Sequence, residues 1–245
     1  MIHALFETPS AYRPSDAEMA APMPPAQAVL FDFSNTTFQM IDLETWLRRV
    51  AAASGRRAVL DEHGAVEEIS CQLRAAFRLP SVVALQDGRD LSREQHRRAM
   101  WGWWEQVDFL RDAQEAAYRE LTAPDAWIPY PDTEPVLRAL RERGLRIAIV
   151  SDFAWDLRTH LAHHGLDALI DTCVISYEQG REKPDPQLFL KACADLGVDP
   201  RATLMVGDNP VRDGGAAACG LRTYILPAEH RTGERGLADV LRLVT

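Results

Sequence analysis

Lysine is almost missing from this chain. Of 27 basic residues, only Lys183 and Lys191 are lysines. Arginine usage on that scale reflects codon bias, and a lysine retained against it is a candidate for a specific role. Cysteine is scarce too: Cys71, Cys173, Cys193 and Cys219 lie far apart, with no C-x-x-C pair. That excludes a disulfide framework and a zinc site and predicts reduced thiols in a cytoplasmic protein. The seven histidines have no metal-ligand spacing; His163 and His164 are adjacent and point in different directions on a helix. Excess positive charge is absent, the formal net charge being −9, which excludes a nucleic-acid or anionic-membrane surface. No apolar run approaches the about 18 residues of a membrane span. No basic region followed by an apolar block opens the chain, so no secretory signal is expected. Nothing in the sequence signals an oligomeric state.

What is present suits one large domain, or one domain with a substantial insertion: 245 residues, 47% hydrophobic. Residues 1–26 hold Pro14, Pro22, Pro24 and Pro25 without a sustained period and read as a flexible tail. The apolar run from Ala28 to Phe31 has strand composition and ends on Asp32. The pattern then turns helical: 43–54 stopping near Gly55, 58–77 with a weak point at Gly64, and a long stretch from an N-cap at Ser92 to Thr122, in one or two pieces. Trp101, Trp103 and Trp104 in that stretch read as helical core first and substrate contact second.

From residue 130 strands and helices alternate. Helices are expected after Pro131-Asp132-Thr133 to Gly144, over 154–164, after Asp185-Pro186, from near Asp213, and over 234–243. Strands are expected at 145–150, 171–175, 202–206 and 222–226. The alternation predicts an α/β fold, a doubly wound parallel sheet of Rossmann type, with an all-helical block inserted after its first strand. The boundaries are 27–39 and 127–245 for the core and 40–126 for the helical cap.

In such a sheet the C-terminal strand ends share one edge, where ligands bind. Asp32, Ser151-Asp152 and Asp208 all fall there, with Lys183 in a loop before a helix. Two carboxylates, an alcohol and an ammonium suit a hard divalent cation and a phosphate. The amides after Asp32, those of Asn35 and Thr36 included, are candidate donors to phosphate oxygens. Taken singly, Ser151, Asp152 and Asp213 also read as helix caps.

The order Asp32, Ser151, Lys183 in EKPDP, and Gly207-Asp208-Asn209-Pro210-Val211-Arg212-Asp213 resembles the four motifs of the haloacid dehalogenase superfamily, over residues 28–226. The helical insertion resembles that superfamily's cap. The resemblance implies Asp32 as a nucleophile forming a covalent aspartyl intermediate. It implies Mg²⁺ held by Asp32, the Ser34 carbonyl and Asp208, with Asp213 as a further ligand or an anchor behind them. Ser151 and Lys183 would grip the phosphoryl group of a small phosphorylated metabolite. The chain departs at Ser34, where phosphatases of the superfamily usually carry a second Asp for proton transfer. A serine hydroxyl cannot replace it, because acid–base catalysis needs a pKa near the working pH. Three readings follow: a phosphatase or phosphotransferase with its acid–base group elsewhere or unneeded; a dehalogenase-like enzyme, which needs no metal; or a phosphate-binding regulatory module.

Overall fold

The computed structural model describes residues 15, 22–227 and 233–244, so most of the tail expected over 1–26 lies outside the described residues. Five parallel strands form one sheet in the order β5-β4-β1-β6-β7: β1 (Ala28–Phe31), β4 (Arg146–Ser151), β5 (Thr172–Ile175), β6 (Thr203–Gly207) and β7 (Arg222–Ile225). β1 lies in the middle, and all four of its residues are fully buried. Side chains alternate across a strand, so a strand covered on both faces is apolar throughout. Val29, Phe31, Ile147, Ile149, Leu204 and Val206 face one core. Leu30, Ala148, Val150 and Met205 face the other, with Leu188, Phe189 and Leu196 of the helix Pro186–Leu196.

Two short strands that the sequence does not reveal, β2 (Phe38–Met40) and β3 (Trp127–Pro129), pair antiparallel. Three residues each are too few for a period-2 pattern to show. Between them the chain is helical: Leu43–Ser54, Arg57–Leu60, Ala65–Ala76, Pro80–Gln86, Arg93–Trp104, Asp108–Arg111 and Gln114–Thr122. The expected break falls at Gly64, which has φ +80° and precedes the helix beginning at Ala65. The helix Pro80–Gln86 is additional, a short segment with proline in its first turn. Ser92 caps the next helix by accepting from the Gln95 amide at 3.1 Å. That stretch breaks at Val107, whose backbone is extended, and the following Asp108 amide donates to Gln72 Oε1 at 3.1 Å.

Three core helices also depart from expectation. The helix expected over 154–164 begins only at Arg158, because residues 152–157 are held by side chains; Phe153 N–H, for example, donates to Ser176 Oγ at 2.9 Å. Asp213–Cys219 is a 3₁₀ helix, in keeping with the low helix propensity of Gly214 and Gly215. The last segment is a 3₁₀ turn at Leu237–Asp239 followed by the helix Val240–Leu243. Asp132 leaves its own helix, Thr133–Glu142, uncapped. Its carboxylate instead accepts from the amides of Arg235, Gly236 and Leu237 at 2.7–2.9 Å and ties the C-terminal segment to the core.

The cap shares the first core cluster, through Trp46, Leu47, Val50 and Trp104. Trp104 is 2% exposed, stacks at a tilt on Trp46, and is packing. Trp103 is half-buried and donates Nε1–H to Leu73 O at 2.9 Å. His96 is buried among Tyr118 and Trp155. Burial first, and the Arg89 charge second, push its pKa down from 6.5 to about 3. A group depressed on folding stabilises the fold above its unfolded pKa, and that contribution is lost as pH falls. Acidification from pH 6.5 is therefore expected to remove up to about 1.4 kcal/mol per pH unit through His96. Urea unfolding across this window checks it: His96→Phe should show a shallower loss than wild type, and an identical slope would count against a neutral buried His96.

Candidate active site

Asp32 follows β1 directly and is anchored there, its N–H donating to Val206 O at 2.9 Å. The residue is 6% exposed. Its Oδ1 accepts from Ser151 Oγ at 3.0 Å and from Lys183 Nζ at 2.7 Å. The two donors come from the end of β4 and from the loop before the helix Pro186–Leu196. Thr36 Oγ1 lies 3.4 Å from Asp32 Oδ2, and Thr37 Oγ1 donates to Asp32 O at 3.0 Å. Residues 119 and 151 positions downstream thus converge on one carboxylate, as the shared edge of a parallel sheet allows.

Lys183 Nζ also donates to Asp213 Oδ1 at 2.5 Å. Asp213 in turn accepts from Asn209 N–H through Oδ2 at 2.9 Å, closing the loop after β6. Gly207 is required at the end of β6, because a Cβ there would land on the Asp213 side chain. Gly207→Ala is expected to lower stability by about 1–3 kcal/mol through overpacking. A urea midpoint equal to wild type would show that Asp213 can move aside freely.

Asp32, Asp208 and Asp213 each offer an oxygen, and the three oxygens lie within 4.8 Å of one another. Burial raises the pKa of Asp32 to about 6; Lys183 pulls it down, while the Asp213 and Asp208 charges push it up. Burial, then Asp213, raises Asp208 also. For Lys183 burial works against the charge, but Asp32 and Asp213 outweigh it and hold the ammonium above its ordinary pKa. The cluster carries more negative charge than one lysine balances, and its all-oxygen donor set fits a hard divalent cation.

These groups line a cavity of about 230 Å³, together with Ser34, Asn35, Ser151 and Asp152. Ser34 is half-buried in the loop after β1. Asn35 is exposed and takes φ +58°, which Asn tolerates. Its N–H is engaged by Phe38 O at 2.7 Å, and its carbonyl accepts from Arg235 Nε at 2.6 Å. Thr36 is fully buried behind Asp32 and is not part of the wall. Asp152 accepts from the Lys183 amide at 2.8 Å and from Arg212 at 2.7 Å, so it positions the lysine loop.

The wall also holds residues that the sequence did not single out: Asn209, Arg212, and Arg89 and Asp90 of the cap. Arg212 and Asn209 stand inside the last motif and were within reach. For Arg89 and Asp90 no local pattern exists, because only cap folding brings them to the edge. None of the tryptophans of the helix Arg93–Trp104 lines this cavity.

A doubly wound sheet, a helical insertion after its first strand and a buried Asp-Ser-Lys-Asp constellation define a Rossmann-like α/β protein with a helical cap and an acidic site at the sheet edge. The chain belongs to the haloacid dehalogenase-like hydrolase family, whose signature matches residues 26–220. It is 30% identical over 209 residues to (S)-2-haloacid dehalogenase 1 of Pseudomonas sp. (strain CBS-3), covering 82% of this chain and 84% of that protein. It is 40% identical over 114 residues to a phosphoserine phosphatase of Thermus thermophilus, covering 46% and 45% respectively. The chain spans about half the length of the leading curated relatives it matches. The crystal structure of a HAD phosphatase from Thermococcus onnurineus shares the fold, with TM-score 0.57 and 22% identity over 89% of this chain and 97% of that one.

Proposed function

We propose that the chain is a Mg²⁺-dependent phosphatase or phosphotransferase of a small phosphorylated metabolite, acting through an aspartyl-phosphate on Asp32. The observation that carries the reading is the three-carboxylate cluster of Asp32, Asp208 and Asp213. A dehalogenase expels halide with no cation; Asp213 would still hold Lys183 and the Asn209 amide, but the Asp208 carboxylate beside them would have no cation to hold. Asp32, Asp208, Asp213 and the Ser34 carbonyl would hold the ion, which when bound neutralises charge on the phosphoryl oxygens.

Asp32 attacks phosphorus with Oδ2, which Thr36 Oγ1 approaches at 3.4 Å, while Ser151 and Lys183 hold Oδ1 and the transferring group. Asn35 and Thr36 shape the turn on which this group rests, and Asp152 fixes the Lys183 backbone. The division into a core of 27–39 and 127–245 and a cap of 40–126 belongs to the same proposal. So does a cytoplasmic setting, which four unpaired cysteines support.

The second reading, a dehalogenase, is favoured by the length of the match to the Pseudomonas enzyme. Phosphate release from acetyl phosphate, with Mg²⁺ and with chelator, separates the two when run beside halide release from a 2-haloacid. Mg²⁺-dependent phosphate release without halide is the expected result. Halide release indifferent to chelator would reverse the assignment, and no turnover of either would leave a binding module.

A further inference from the structure

Ser34 leaves the proposed reaction without an acid–base group beside Asp32, and the cavity offers one candidate on its cap side. Asp90 lies in the single 3₁₀ turn Arg89–Leu91, between the helices Pro80–Gln86 and Arg93–Trp104. It is 7% exposed and forms part of the cavity wall that includes Asp32. Its backbone is locked to the core: N–H donates to Glu182 Oε1 at 3.1 Å, and the carbonyl accepts from Ser176 Oγ at 2.7 Å. Glu182 is the neighbour of Lys183, so the cap turn is tied to the loop that carries the lysine. The carboxylate itself is poorly satisfied. Arg89 Nε stands at 3.4 Å and His96 Nε2 at 3.9 Å.

Resting on the phosphatase reading, we infer that Asp90 is the acid–base residue of this enzyme, supplied by the cap in place of the residue at position 34. In-line displacement puts the leaving oxygen on the side of phosphorus opposite the nucleophile. Asp32 enters the cavity from the sheet edge, and Asp90 enters the same cavity from the helical segment between β2 and β3. In the first half-reaction an Asp32 oxygen bonds to phosphorus, the bond from phosphorus to the leaving oxygen breaks, and Asp90 gives that oxygen its proton. In the second, water attacks the same phosphorus, the bond to Asp32 breaks, and the Asp90 carboxylate takes the water's proton. Phosphate leaves, and both carboxyl groups return to their starting state.

The surroundings suit this task. Burial holds the Asp90 carboxyl above its ordinary value; Arg89 and Arg212 pull it down, and Asp152 pushes it up. Glu182 takes the Asp90 backbone N–H and adds a like charge nearby, and the neutral His96 stands 3.9 Å from Asp90 Oδ1. A carboxyl poised nearer the working pH is a better proton carrier than an ordinary surface aspartate.

The test compares two small substrates with very different leaving groups, ethyl phosphate and acetyl phosphate, with Mg²⁺ present. Wild type is expected to cleave both. Asp90→Asn should lose about 10²–10⁴-fold in kcat on ethyl phosphate, whose alkoxide needs a proton. On acetyl phosphate, whose carboxylate does not, it should release about one acetate per active site at the wild-type rate and then stall, because the aspartyl-phosphate waits for the missing base; that burst also reports an intact fold. Adding Ser34→Asp to Asp90→Asn should restore part of the ethyl phosphate turnover. An acetate burst lost together with ethyl phosphate turnover, no loss on either substrate, or a wild type confined to acetyl phosphate would overturn the role of Asp90. A wild type that releases phosphate from neither substrate would sink the phosphatase reading itself, and the role of Asp90 with it.

Discussion

Asp32→Asn is expected to abolish turnover, by on the order of 10⁵-fold in kcat, in line with the loss of other enzymic nucleophiles. The amide keeps the shape of the carboxylate but cannot form the acyl bond to phosphorus. The fold should not suffer. Asp32 is buried, and its pKa rises from 3.8 to about 6. A carboxyl raised on folding stabilises the fold most when protonated, and that contribution declines as pH rises through the folded value. At neutral pH without metal the Asp32 charge therefore opposes folding, and removing it should leave the urea midpoint at or above wild type. Activity lost together with stability would mean that Asp32 is structural. Activity retained would end its claim to be the nucleophile.

Lys183→Ala is expected to have the largest effect on stability. Its ammonium is the shared partner of Asp32 and Asp213, whose side chains are 8% and 1% exposed. Removing one side of a buried charge pair costs about 3–5 kcal/mol, because the remaining charges lie uncompensated. The urea midpoint should drop accordingly, and turnover with it. Added Mg²⁺ should recover more stability in this variant than in wild type, since a cation bound among Asp32, Asp208 and Asp213 favours the folded state by mass action. An unchanged midpoint would mean that the lysine is dispensable to the cluster. A lowered midpoint that Mg²⁺ does not raise would count against a cation site.

The sheet and its edge were legible because topology turns strand ends into neighbours. Asp32, Ser151 and Asp208 each close an apolar run, and a parallel sheet aligns such ends whatever lies between them. Lys183 stood out against an arginine background. Asp90 did not, because its place in the cavity wall depends on hydrogen bonds to Ser176 and Glu182, 86 and 92 positions away, and no periodicity encodes them. The same holds for Asp132, which reads as a helix cap and serves the amides of residues 235–237 instead. The pair β2 and β3, three residues each, forms where the chain leaves the core for the helical segment after Met40 and returns at Trp127, and no local pattern encodes it. Asn35 and Thr36 were expected to present amides to the ligand. Residue geometry at the turn, not residue type, commits the Asn35 amide to Phe38.

The most direct measurement looks for the bond to Asp32 itself. Enzyme turning over acetyl phosphate with Mg²⁺ is quenched in acid, reduced with borohydride, digested and analysed by mass spectrometry. Borohydride reduces an acyl phosphate to an alcohol and leaves a free carboxylate untouched. The peptide containing Asp32 should carry the mass of a reduced side chain at that position, only when substrate and Mg²⁺ are both present. Rapid phosphate release with Asp32 unmodified at every quench time, or with the label on another carboxylate, would contradict an aspartyl-phosphate on Asp32.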